Sequence, residues 1–453
     1  MGRFIVLVVV VGSLASAASA EWKEKVLYSF QGVPDGAVPA GGVVFDKAGN
    51  LYGATEDGGS SSCDSPGQCG TVYQLAPPTQ KGGAWTETVR YVFKGHAYND
   101  GATPEGGVLI DQAGNLYGTT GYGGSGPCTL LGGAVGCGTV YELSPPAKQG
   151  DPWTETVLYS FQGGNDGYVA SGDLVFDRAG NLYGATLFGG GKGTTCDSLY
   201  GGQCGTVFKL SPPKTKGGKW TEKVLHSFAG IESGKQYGDG AVPNGGLTLD
   251  SKGAIYGTTY IGGYNCPHGE GQGCGTVFAL RRPMTPGSGW AENVIHRFDP
   301  NSSDGAYPPM GLLFDSQGRL CGTTQIGGLV GYGTVFRLAP PTQTRNGWSE
   351  TLLYDFTGRQ DGGPPMTGLT IDTKGRLYGT ALGGLYASGT VFRLERAQIS
   401  QPLWTFGLLY SFRGTPDGHY PAANLIFNTV GSIYGTTQGG GGSGYGTVFQ
   451  LGP

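Results

Sequence analysis

Charge is scarce in this sequence. Only 14% of its 453 residues are charged, and 29 Lys and Arg against 33 Asp and Glu leave a formal net charge of −4. A nucleic-acid surface is excluded, because it needs clustered basic side chains to displace counterions. No block of like charge marks a disordered tail. Long apolar runs are also missing: no segment approaches the ~20 uninterrupted apolar residues of a membrane helix. There are five His, nine Cys and no CxxC spacing. Neither a zinc ribbon nor a Ser-His-Asp or Cys-His nucleophile can be built from those spacings. No stretch carries the helical period over an ordinary helix length.

What is present begins with a leader. Met1–Ala20 has Arg3, an apolar core from Phe4 to Val11, and the small residues Ala18-Ser19-Ala20. This is the pattern of a secretory signal peptide. No Cys follows the cleavage point, so a lipid anchor is not expected. Residues 21–453 are then one exported domain, secreted or periplasmic.

Glycine is abundant, at 90 residues against a usual ~7%, and it recurs at fixed places. Seven copies of one series run along the chain. An apolar stretch closes on Asp, then come Asn-Leu-Tyr-Gly, Gly-Thr-Val-Tyr/Phe and a strand that starts at Trp. The seven Trp are Trp22, Trp85, Trp153, Trp220, Trp290, Trp348 and Trp404, with steps of 63, 68, 67, 70, 58 and 56 residues. Those steps exceed the common propeller periods of roughly 40 to 50, and the excess lies in loops. Copies one to six each contain four short runs of β-branched and aromatic residues bounded by Gly, Pro or Asp. In the first copy they are strand A (42–45), strand B (51–55), strand C (71–75) and strand D (85–93). The seventh copy stops after strand C, while 22–30 is a strand D that belongs to no copy. A ring accounts for both ends, so the sequence predicts an all-β, seven-bladed propeller with four-stranded blades, closed by the N-terminal strand.

The series Leu27-Tyr28-Ser29-Phe30, Asp35-Gly36, Gly114-Asn115-Leu116-Tyr117-Gly118-Thr119-Thr120, Gly123-Gly124 and Gly205-Thr206-Val207-Phe208 resembles the GloVer tandem-repeat family of secreted bacterial proteins, named for Gloeobacter and Verrucomicrobia and often called choice-of-anchor proteins. The resemblance spans Trp22 to Leu451. It implies export and repetition but no assigned activity. Many relatives carry a C-terminal anchoring module; this chain ends at Leu451-Gly452-Pro453, so release is the expectation.

Eight Cys fall in pairs within the B–C loops: Cys63/Cys69, Cys128/Cys137, Cys196/Cys204 and Cys266/Cys274. In an exported protein these are expected to be local disulfides. Copies one to four, with loops of 10 to 14 residues, have the pairs; copies five to seven, with four or five, have none. Cys321 replaces the strand-B Tyr of the other copies and is expected to be a buried structural thiol. The Asp of the A–B link (Asp46 and its counterparts, Asn428 in the last copy) and the Asp-Gly of each D–A link suit turn capping. His226 and His296 replace the strand-D Tyr as packing variants, and the seven Trp pack between blades.

Functional candidates are the positions that break the repeat. Before each Gly-Gly stand Asp57, Tyr122, Phe188, Tyr260, Gln325 and Gln438, residue types that stack on and hydrogen-bond to sugars or peptides. Where strand A begins stand Glu105, Asp173, Asn244 and Asn424, oxygen donors near the channel axis where Ca²⁺ could bind. The leading expectation is a secreted, monomeric, non-catalytic binding or scaffold protein. It would meet an extracellular glycan or protein on the loop face of blades one to four. The alternatives are a Ca²⁺-dependent hydrolase or lyase at the axial channel, or a purely structural envelope component.

Overall fold

The structure, a computed structural model, describes residues 22–452 except 61–62, 64–68, 130–132, 134, 149, 192–203, 216, 231–237, 265–272, 284, 286–287, 300–302, 398–403 and 422. The expected signal peptide lies outside the described residues. Seven antiparallel four-stranded sheets form a ring, a seven-bladed β-propeller. Among the described residues the only helical turns are two short 3₁₀ segments, His96–Tyr98 and Gly164–Asp166. Among the described residues no helix is long and apolar enough to cross a membrane.

The ring closes as expected. Strand D of blade seven is the N-terminal Lys23–Ser29, which pairs with Thr447–Gly452 from Lys23↔Gly452 to Ser29↔Thr447. In every blade the C–D ladder slips once, as between Val72 and Tyr73. The slip inserts one extra strand-D residue, and such bulges sharpen a strand's twist.

The core lies between blades. The Phe that ends each strand D (Phe30, Phe93, Phe161, Phe228, Phe298, Phe356 and Phe412) has no exposed surface. Each sits edge-on to the strand-C aromatic of the next blade in the ring, as Phe30 does to Tyr73 at 5.0 Å. The Gly of Leu-Tyr-Gly in strand B makes room for that ring: a Cβ on Gly184 would lie 2.5 Å from the Phe208 ring. The Trp of each strand D packs on the strand-B Tyr of the preceding blade, as Trp153 does on Tyr52 at 5.8 Å and Trp348 on Tyr256 at 6.1 Å. Where that Tyr is replaced by Cys321, Trp404 packs into the same cluster.

Two features depart from the sequence expectation. Strand A is split: in blade one Gly36–Pro39 and Val44–Phe45 both pair with strand B, which runs from Leu51 to Gly58. The Asp-Gly therefore opens a strand and does not lie inside a loop. A left-handed residue lies within the first segment in blade one, and the same position is left-handed in blade three, where strand A runs unbroken from Tyr168 to Phe176. Val38, Thr103, Val169, Val242, Tyr307 and Tyr420 have φ of 54 to 57°, a conformation that costs about 1–3 kcal/mol for such side chains. Each donates its N–H across the seam, Val38 to the carbonyl of Tyr445 at 3.0 Å and Val169 to that of Cys137 at 3.0 Å. That bond between blades offsets the strain and fixes the kink.

Candidate functional site

The B–C loops and D–A links share one face, because the second Gly of the loop donates to the carbonyl of the Asp-Gly Asp, as Gly124 does to Asp100 at 2.7 Å. On this face Cys63–Cys69 and Cys128–Cys137 are disulfides with Cα separations of 5.6 and 5.1 Å. Cys204 and Cys274 are also disulfide-bonded; Cys196 and Cys266 lie outside the described residues. The carbonyls of Cys69, Cys137, Cys204 and Cys274 each accept the N–H of the left-handed residue in the next blade. The staples thus sit where blades are joined, at the root of the loops.

The seven Asp-Gly carboxylates are caps, as expected. Asp35 accepts from the Tyr28 hydroxyl at 2.8 Å and from the N–H groups of Gln31 and Gly36. The same contact recurs in every blade, with His226–Asp239 at 3.2 Å and His296–Asp304 at 3.0 Å standing for Tyr–Asp.

The repeat-breaking residues fall into two arcs. One is acidic. Asp57 and Tyr122 lie on the extended ends of strand B, paired with Ala37 and Ala102, so they are rigidly held strand residues and not loop residues. Beside them the Gln438 amide approaches Glu56 Oε1 at 3.4 Å. Burial, then the charges of Glu105 and Asp57, push Glu56 up to about 8. Burial pushes Glu105 up to about 7. The second arc is aromatic and amide. Tyr260 donates to Gln325 Oε1 at 2.8 Å and stacks on Tyr307 at 5.1 Å, and the Gln325 amide reaches Met366 Sδ at 3.3 Å. Phe188, also on an extended strand B, meets Tyr168 at 5.4 Å.

The four axial oxygen donors separate into two levels. Asp173 and Asn424 occupy the place that is Gly42, Gly107, Gly246, Gly311 and Gly368 in the other blades, and Asn424 Nδ2 donates to Asp173 Oδ2 at 3.3 Å. Asp173 Oδ1 also accepts from the Gly107 N–H at 2.8 Å. Glu105 and Asn244 stand two residues earlier. Asn244 lies 3.4 Å from the Ser171 hydroxyl, and Glu105 belongs to the acidic arc. Tyr307 and Tyr168 were missed by sequence reasoning. Tyr307 had a signal, since it replaces a Val or Thr at the strained position.

The family's sequence profile, the Gloeobacter/Verrucomicrobia repeat, matches residues 127–392. The chain belongs to that repeat family. No curated protein matches it. Among solved structures, a fungal alcohol oxidase in complex with copper is 14% identical, with a TM-score of 0.51 over 95% of this chain and 76% of that one. The polysaccharide lyase Uly1 is 12% identical, with a TM-score of 0.48 over 92% and 90%. A gluconolactonase from Xanthomonas campestris is 15% identical, with a TM-score of 0.35 over 69% and 78%. At 14% identity the oxidase likeness supports the fold alone.

Proposed function

We propose that this repeat protein is an exported, non-catalytic binding propeller that takes a glycan at the channel mouth on its loop face. One observation supports the reading: side chains that break the seven-fold repeat meet one another between blades four and five. There Tyr260, Gln325 and Tyr307 form one hydrogen-bonded, stacked unit. Flat aromatic faces beside fixed amides suit a sugar ring, which offers an apolar face and a hydroxyl edge. The disulfides support export, since such bonds persist in oxidising compartments. A glycan array probed with purified protein tests this. Binding to a defined set of glycans, lost in Tyr260→Ala and weakened in Tyr122→Ala, is the expected result; an array without hits, or hits indifferent to both substitutions, refutes it.

A second reading is a hydrolase or lyase dependent on Ca²⁺ at the axis. It is favoured by Asn424 Oδ1, a buried oxygen with no hydrogen-bond partner, next to the Asp173 carboxylate. Calcium retained after dialysis and lost in Asp173→Ala would support it; metal-free protein that does not bind added Ca²⁺ would remove it.

A further inference from the structure

On the opposite face a cavity of about 1060 Å³ opens between blades six and seven. Both A–B turns line it, together with Trp22 at the head of the closing strand. A related groove between blades three and four holds about 460 Å³. The larger one has a specific cause in the sequence. Across the C–D ladder of blade six, Arg393 faces Gly407. The corresponding strand-D residue is Lys25, Thr88, Thr156, Lys223, Asn293 or Thr351 in the other blades.

Nothing in the fold demands glycine at 407. Its φ is not positive, and an added Cβ would come no nearer than 3.8 Å to Arg393. A glycine inside a strand weakens it and often marks a close approach by another molecule. What Gly407 leaves uncovered is Arg393, whose Nη2 reaches Glu395 at 3.2 Å while its Nε is buried without a partner. Lys374 and Arg376 also line the cavity; Arg376 is held by Asp372 at 2.6 Å. Trp22 and Phe427 supply apolar walls. Trp22 thus has a role beyond the packing that its place in the repeat implies. An arginine with an unused N–H beside an indole also occurs at Arg337 and Trp404; what is particular to blade six is the glycine, since Thr351 faces Arg337.

We infer that this cavity is a binding site for an acidic saccharide, with its carboxylate on Arg393 and Lys374 and one sugar face against Trp22. Guanidinium matches carboxylate in charge and geometry, and the site is independent of the channel mouth. Calorimetric titration of the purified protein with tetragalacturonate, and separately with its methyl ester, tests it. Gly407→Thr and Arg393→Gln are the variants, because Thr88, Thr156 and Thr351, and Gln74 and Gln450, already stand at those places in sibling blades and fold there. The acid is expected to bind and the ester not. Each substitution should weaken binding at least tenfold, and Tyr260→Ala should leave it unchanged. The site is disproved by a wild-type titration without heat, by equal binding of the ester, or by affinity that survives both substitutions.

Discussion

Asn424 donates to Asp173 at 3.3 Å although 251 residues separate them in the chain. The bond joins blades three and seven across the axis, in a ring whose other members are glycines packed backbone to backbone. A Cβ on Gly311, for example, would lie 2.3 Å from the Gly246 carbonyl oxygen.

The two partners are not equivalent. Asp173 also accepts the Gly107 N–H at 2.8 Å, whereas Asn424 keeps a buried oxygen without a partner. Asp173→Ala strands a backbone donor and is expected to cost about 1–3 kcal/mol, while Asn424→Ala should cost under about 1 kcal/mol. Chemical denaturation of both variants measures this. Equal losses would mean that Asp173 is not the hub.

Blade seams also set a pH dependence. One Glu of strand D faces the Asp-Gly Asp that caps strand D of the preceding blade, at Glu24, Glu87, Glu155 and Glu222, and each has a buried oxygen without a partner. Burial, then the facing Asp, pushes these carboxyls up from 4.5 to about 7 for Glu24 and Glu87 and to about 8 for Glu155 and Glu222. A carboxyl with a higher pKa folded than unfolded adds stability that is complete below the unfolded value and lost as pH climbs through the folded one. Melting temperature is therefore expected to fall steadily between about pH 5 and pH 8. Glu155→Gln should raise it at pH 8 and leave it unchanged at pH 5. A flat profile over that range contradicts the seam argument.

Much of the ring was legible because its determinants are local. Trp22, unassigned to any copy, announced closure; Asp46 and its counterparts announced their turns; Cys321 under Trp404 was foreseeable from the Tyr it replaces. The inner rim was not legible. Its geometry depends on Val38, Thr103 and their counterparts adopting a left-handed backbone, which β-branched residues avoid and no pattern in a strand-like run reveals. That kink is what carries Asp57, Tyr122 and Phe188 onto strand ends. It also divides Glu105 and Asn244 from Asp173 and Asn424, four residues that spacing alone put together. The seam Glu residues were hidden by strand alternation, which gives neighbouring polar positions the same appearance whether they face water or the next blade. Gly407 was hidden by the protein's many other glycines.

The staples should be worth what their loops are worth. Closing the nine-residue separation of Cys128–Cys137 is worth about 2–3 kcal/mol by chain entropy, and the six of Cys63–Cys69 slightly less. The double substitution Cys128→Ala with Cys137→Ala is expected to lower unfolding free energy by about that amount. Blade pairing should remain intact, because the Cys137 carbonyl, not its sulfur, holds Val169. Comparison of denaturation midpoints with far-UV spectra checks both halves: loss of the β signal would mean that the staple holds the blade itself and not only its loop.

Cys321 offers the sharpest test of the packing account. Its side chain is 1% exposed, and burial, then the Asp315 charge, pushes its thiol up to about 12. The thiolate is the reactive form, so at neutral pH the native protein should resist alkylation and react only on opening. Labelling in rising urea should follow the unfolding curve and not precede it. Cys321→Ala should leave a void beneath Trp404 and cost about 1–2 kcal/mol, because the transfer loss of a small side chain adds to the cavity it leaves. Rapid labelling of the native protein would show that the seam between blades five and six opens on its own, and would make this thiol a candidate reactive group.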